Sequence, residues 1–174
     1  LDIEIRPENP DDYPAIKKVN DLAFEQPNEG LLVEGLRRNP RFVPQLSLVA
    51  TYDGTVVGHI LFFPIRIVCE DSYAISLSLS PIAVLPEYQG KGIGGRLIEE
   101  GVAVAKTMGY ESIIVVGHPE YYPRFGFLPA GKWGVTPPYK EVPDEAFMAI
   151  ELIEDGLEGK AGVAEFPQEY ESAM

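Results

Sequence analysis

Apolar residues along the chain change their spacing several times, and each change marks an element. Ile3 and Ile5 alternate with polar neighbours over residues 2–6, which predicts a first strand, and Pro7-Glu8-Asn9-Pro10 interrupts it. Asp11 or Asp12 can then cap a helix reaching about Phe24, with Ile16, Val19, Asn20 and Ala23 on one side. Gln26-Pro27-Asn28 separates it from a second helical stretch, 29–38, carrying Leu31, Leu32 and Leu36 and ended by Asn39-Pro40. Residues 46–52 are strand-like, Asp53-Gly54 is a hairpin signal, and 55–70 is the long return strand. Pro64 within it predicts an edge, a bulge or a bend. After Glu70-Asp71-Ser72, residues 73–79 alternate again.

The second half changes period. Ile93, Leu97, Ile98, Val102, Ala105 and Met108 recur at helical spacing, and Gly109-Tyr110 closes that helix. Gly101 inside it costs about 1 kcal/mol relative to Ala, and close packing on a sheet is the simplest reason for it. Residues 112–116 are almost wholly apolar, the pattern of a strand buried on both faces and parallel to its neighbour. Residues 146–153 predict a further strand, and 161–166 can pair as a last one. The expected class is α/β (an α+β mixed sheet), mostly antiparallel with one parallel strand pair and flanking helices. One domain over residues 1–174 is expected, with 156–174 a C-terminal extension.

Composition narrows the chemistry. A formal net charge of −13 argues against nonspecific nucleic-acid binding, which draws on basic surface, and is compatible with a cationic amine. No apolar run reaches membrane-spanning length, and no leader pattern opens the chain, so a cytoplasmic protein with no membrane partner is expected. The single cysteine, Cys69, excludes an internal disulfide, and two histidines without metal-ligand spacing argue against a zinc site.

The stretch from Ser80 to Gly95, S-P-I-A-V-L-P-E-Y-Q-G-K-G-I-G-G, carries the densest signal. It leads from a strand through a Pro-containing turn into a helix. Gly90, Gly92 and Gly94 alternate where the helix begins, letting backbone N–H groups approach a ligand. A helix N-terminus adds unsatisfied donors and positive dipole, so the stretch reads as a cradle for a phosphate or pyrophosphate. Gly90, Gly92 and Gly95 also satisfy G-x-G-x-x-G, but Pro86-Glu87-Tyr88-Gln89 separates them from the strand, and no acidic residue marks a second strand end near Ile113-Ile114. A P-loop is excluded because Lys91 is followed by Gly92. A Gly-rich turn without ligand is the plain alternative.

Gln89-Gly90-Lys91-Gly92-Ile93-Gly94, preceded by Val84-Leu85-Pro86, resembles the Q/R-x-x-G-x-G/A signature of the GNAT acetyltransferases. About 30 residues on, Glu120-Tyr121-Tyr122-Pro123-Arg124-Phe125-Gly126-Phe127 resembles the family's F-Y-x-K/R-x-G-F ending. The P-D-E-A-F-M-A-I-E-L and G-V-A-E-F-P runs are similar to the YhbS-like branch, so the resemblance covers nearly the whole chain. It implies the GNAT acyl-CoA N-acyltransferase fold and an acetyl-CoA-dependent N-acetyltransferase with acetyl-CoA as cosubstrate and no metal. It further implies pyrophosphate binding by backbone amides of Gln89, Gly90, Lys91, Gly92, Ile93, Gly94, Gly95 and Arg96, with Lys91 and Arg96 able to add charge or simply be solvated. Thioester polarisation falls to backbone amides of Ile82, Ala83 and Val84 at a strand bulge. Many members dimerise, so a homodimer is compatible with the resemblance.

Tyr122 is the candidate acid, since a phenol near pKa ~10 is protonated at neutral pH and can donate to the departing thiolate. Packing, like that expected of Tyr121, is its alternative role. The base stays unassigned among Glu29, Glu34, His59, His118 and a backbone carbonyl with water. The function expected is acetyl transfer to a primary amine by direct attack in a ternary complex, Cys69 being poorly placed for an acetyl-enzyme. A noncatalytic acyl-CoA-binding sensor is the rival.

Overall fold

Strand and helix alternate much as the apolar spacing requires. The computed structural model describes residues 1–173. Strands are β1 (Ile3–Pro7), β2 (Ser47–Tyr52), β3 (Thr55–Val68), β4 (Tyr73–Val84), β5 (Ser112–Val116), β6 (Leu128–Pro129), β7 (Val135–Thr136), β8 (Phe147–Glu151) and β9 (Gly162–Glu165). Helices are α1 (Tyr13–Phe24), α2 (Asn28–Arg38) and α3 (Ile93–Thr107), with short 3-10 turns between elements. Hydrogen bonds order the strands β1-β2-β3-β4-β5-β8-β6, with β9 also on β3 and β7 on β9. The β4–β5 pair is parallel, as the apolar run of β5 predicts, and β7–β9 adds a second, short parallel pairing.

The chain divides into two compact units. The first comprises Leu1–Phe63, Ser80–Val104 and residues 168–173; the second comprises Pro64–Leu79 and Ala105–Pro167. In the first, β1 and β2 pair antiparallel, and β2 pairs with β3 through a two-residue turn in which Asp53 and Gly54 have φ of 51° and 77°. A bulge between Ala50 and Thr51 shifts the β2–β3 register. Leu32, Val33 and Leu36 of α2 and Ile16 and Val19 of α1 are buried, as are Phe62 and Phe63 of β3. Each such side chain contributes about 1.5–3 kcal/mol. Gly101 of α3 lies flat on Phe62, where any Cβ would overlap the ring.

Two local expectations change. Asp12 does not cap α1 with its side chain. It accepts from the Asn9 backbone N–H at 2.9 Å and takes both guanidinium arms of Arg6, at 2.7 and 2.9 Å, so Asn9 caps the preceding 3-10 turn instead. On α2, Val33 turns inward and Leu31 is 54% exposed.

In the second unit, β9 pairs with β3 from Arg66 to Val68, whereas β2 leaves β3 at Leu61. Pro64 falls between the residues that pair with β2 and those that pair with β9, a place in a strand where a residue without an N–H is tolerated. The core here gathers Ile65, Ile67, Ile114, Val135, Phe147, Ala149, Leu157 and Ala164.

Candidate active site

The sequence between β4 and α3 builds a bracketed loop in the first unit. Pro86 opens a 3-10 turn in which Tyr88 N–H donates to Leu85 at 2.8 Å and Gln89 N–H to Pro86 at 3.3 Å. The Gln89 side chain turns back, its Nε2 donating to the Val84 carbonyl at 2.9 Å, so the end of β4 and the start of the glycine run are tied together. Leu85 N–H donates to Val57 of β3 at 2.9 Å and anchors the loop to the sheet.

Gly90 and Gly92 have φ of 76° and 82°, the left-handed region that disfavours side chains. A Cβ at either would meet no protein atom, so backbone conformation, not crowding by the protein, selects glycine there. The first bond of α3 runs from Arg96 N–H to Gly92 O at 3.1 Å. Helix geometry therefore leaves the N–H groups of Ile93, Gly94 and Gly95 without intrahelical acceptors. Ile93 is buried and roots the turn, while Gln89, Lys91 and Arg96 are exposed and Gly94 and Gly95 half-buried. Ala83 is buried, with Ile82 and Val84 half-buried beside it, at the end of β4. The arrangement offers donors and a positive helix end to an anion.

Tyr122 belongs to the second unit. The His118 carbonyl accepts the N–H groups of Tyr121 and Tyr122, at 3.1 and 3.4 Å, and turns the chain into the 3-10 segment Tyr122–Phe125. The Tyr122 ring is 6% exposed. It meets Tyr121 and Phe127 edge-on, with centroids 5.2 and 5.7 Å away, and presses on Gly117, where a Cβ would overlap it. Packing thus holds the ring. Burial, and then the neighbouring Tyr121, push the phenol up to about 12. Tyr121 is half-buried under the Arg124 guanidinium, 4.6 Å from its centroid.

Residues 12–127 match the acetyltransferase (GNAT) family model. The chain belongs to the GNAT acetyltransferase family. Relatives extend the likeness over nearly all of it. It is 44% identical over 131 residues to the uncharacterized N-acetyltransferase YjhQ of Escherichia coli K12, a match covering 75% of this chain and 72% of YjhQ. The structure of Escherichia coli YhbS in complex with CoA superposes with a TM-score of 0.90 at 30% identity, covering 97% of this chain and 92% of that one. A GNAT acetyltransferase of Brucella melitensis in complex with acetyl-CoA gives a TM-score of 0.79 at 31% identity, covering 97% of both chains. The mixed sheet and flanking helices are those of the GNAT fold.

Within this GNAT chain the candidate bases fare differently. His59 is fully buried, and desolvation, then the positive charge of Arg37, push its pKa down to about 3. Sealed from solvent, it is unsuited to take a proton from an incoming amine. Glu29 is half-buried and accepts both 3.0 Å bonds from Gln26 Nε2; Glu34 is half-buried on α2; His118 is exposed.

His59 instead belongs to a buried polar chain that the sequence did not reveal. Arg37 of α2 grips Glu8 with two bonds of 2.9 and 3.0 Å. Ser47 of β2 donates to Glu8 at 2.5 Å, which leaves its oxygen to accept from His59 Nε2–H at 2.9 Å. His59 Nδ1 then accepts from Asn20 of α1 at 3.3 Å, and the same Asn20 amide donates to the Ile16 carbonyl at 2.9 Å. Five residues from five places in the sequence pin α1 and α2 to the sheet. Among the described residues no group of three His, Cys, Asp or Glu could hold a metal, and no helix is long and apolar enough to cross a membrane.

Proposed function

We propose that this protein transfers the acetyl group of acetyl-CoA to a primary amine by direct attack in a ternary complex, the whole chain serving as one catalytic domain in the cytoplasm. The observation that carries the reading is the glycine cradle at the start of α3. Its left-handed Gly90 and Gly92, and the free N–H groups that follow, suit a pyrophosphate. The two relatives crystallised with CoA or acetyl-CoA support the same cosubstrate here. In this reading the amides of residues 89–95 hold the pyrophosphate, with Lys91 and Arg96 adding charge from the rim. Amides of Ile82, Ala83 and Val84 polarise the thioester carbonyl as its oxygen gains charge. The amine nitrogen attacks the carbonyl carbon, the tetrahedral intermediate collapses, and the C–S bond breaks as the amide forms.

Tyr122 then donates to the departing sulfur. Its phenol stands near 12, and a thiol, with Cys as guide, stands near ~8.5. Complete proton transfer would therefore be uphill by about 5 kcal/mol. The role that fits is a hydrogen bond to developing thiolate charge, while the proton that finally neutralises the sulfur comes from the amine nitrogen, cationic once it has bonded to the carbonyl carbon, or from water.

The deciding experiment measures CoA-thiol release from acetyl-CoA across a panel of amines and peptides, with calorimetry of acetyl-CoA beside it. Turnover with some acceptors is expected. Gly92→Glu is expected to weaken acetyl-CoA binding at least tenfold, through charge as well as backbone, and Gly92→Ala less. Unchanged affinity in Gly92→Glu would remove the cradle assignment. Tight binding without turnover over the panel would turn the reading toward a sensor.

A further inference from the structure

The C-terminal residues 168–173 form a 3-10 segment that lies on α2 within the first unit. Glu169 anchors it: Asn39 Nδ2 donates to its carboxylate at 3.2 Å, and its Cγ would sit 3.3 Å from a Cβ placed on Gly35. The next residue, Tyr170, is only 9% exposed, unlike its neighbour Glu171, and its hydroxyl donates to the Ser80 carbonyl at 3.4 Å. Ser80 lies on β4 immediately before Pro81, which has no N–H to give the sheet. Ile82, Ala83 and Val84 follow directly. At its other end this strand segment is held by Gln89 on the Val84 carbonyl and by Leu85 on Val57. Tyr170 supplies a hold at the near end, beside a proline that has no N–H to give.

We propose that Tyr170 is a positioning residue for the 82–84 amides, clamped in place by the Glu169 contacts to α2, and that the C-terminal segment is thereby part of the reaction machinery. The inference rests on the acetyl-transfer reading for its catalytic consequence, but its structural half does not. The clamp acts on the strand that polarises the carbonyl and leaves the pyrophosphate cradle alone. Loss of Tyr170 should therefore lower kcat without changing KM for acetyl-CoA.

Amide hydrogen exchange of the free, full-length protein tests the structural half without an acceptor. In Tyr170→Ala, peptides spanning residues 80–85 should exchange about tenfold faster, while those of β2 and α3 keep their rates. Tyr170→Phe, which keeps the ring and loses only the hydroxyl, should show a two- to threefold change at the same place. Unchanged exchange at 80–85, or acceleration spread evenly over the first unit, would overturn the proposal. CoA-thiol release tests the other half: kcat about tenfold lower in Tyr170→Ala, partly restored in Tyr170→Phe, with acetyl-CoA affinity within twofold. Weakened acetyl-CoA binding with kcat intact would also overturn it. A wild-type protein that neither binds nor turns over acetyl-CoA would sink the functional reading, and the exchange data would still decide the clamp.

Discussion

His59 is held between Ser47 and Asn20 with its pKa near 3, against about 6.5 in an unfolded chain. The unfolded state takes the proton first, so stability should be full above pH 6.5 and decline as pH falls toward 3. Two pH units below 6.5 the loss from this one group is on the order of 3 kcal/mol. Urea unfolding at pH 7.0, 5.5 and 4.5 measures it, and His59→Gln should flatten the dependence over that range. The partner end of the chain is less forgiving. Arg37→Met would leave the Glu8 carboxylate buried beside Ser47 without its cation, a loss of about 3–5 kcal/mol. Tyr122→Phe should behave differently from both, retaining acetyl-CoA affinity while slowing turnover about 10²-fold. Because burial holds the phenol near 12, the wild-type rate should show no decline below pH 10 that Tyr122→Phe abolishes. Such a decline would mean that the ring ionises in a wetter place than its packing provides.

Elements recorded their own signals unevenly. The turn at Asp53-Gly54, the parallel character of β5 and the glycine entry to α3 were legible because each depends on local backbone or on one short run. β6 and β7 were not, since two-residue strands have no period, and neither was the inward turn of Val33 in place of Leu31. The polar chain from Arg37 to Asn20 escaped for another reason. Each member looks ordinary where it stands, and only the fold brings Glu8, Ser47 and His59 together. At the candidate site the cradle glycines were legible, whereas Tyr121 and Tyr122 were told apart only by the motif; burial against Gly117 and Phe127 distinguishes them physically. The glycine inside α3 gives a test at this scale. Gly101→Ala gains about 1 kcal/mol in helix propensity but forces a methyl into the Phe62 ring. A net loss of about 1–3 kcal/mol is expected from thermal or urea unfolding. Phe62→Leu in the same chain should recover part of it, since the two changes share one contact.

Across the whole molecule, charge is the dominant feature: a net −13 over a chain in which exposed ion pairs such as Lys17–Asp21 and Lys160–Glu111 are partly solvated. Self-repulsion of that size weakens as salt screens it, while exposed pairs lose little because they contribute little. Raising NaCl from 20 to 200 mM should lift Tm by about 2–4 °C, and a fall would mean that attractive pairs outweigh the excess charge. The first unit has another property that no single element displays. It is assembled from three separate lengths of chain, and the last of them brings Glu169 to Asn39 and Tyr170 to Ser80 across long stretches of sequence. On a ribosome adding about 5–20 residues per second, the N-terminal helices and strands wait several seconds for the residues that complete their packing. That clasp can close only once residues 168–173 have been made and have cleared the exit tunnel, so this unit completes its packing long after its first helices emerge.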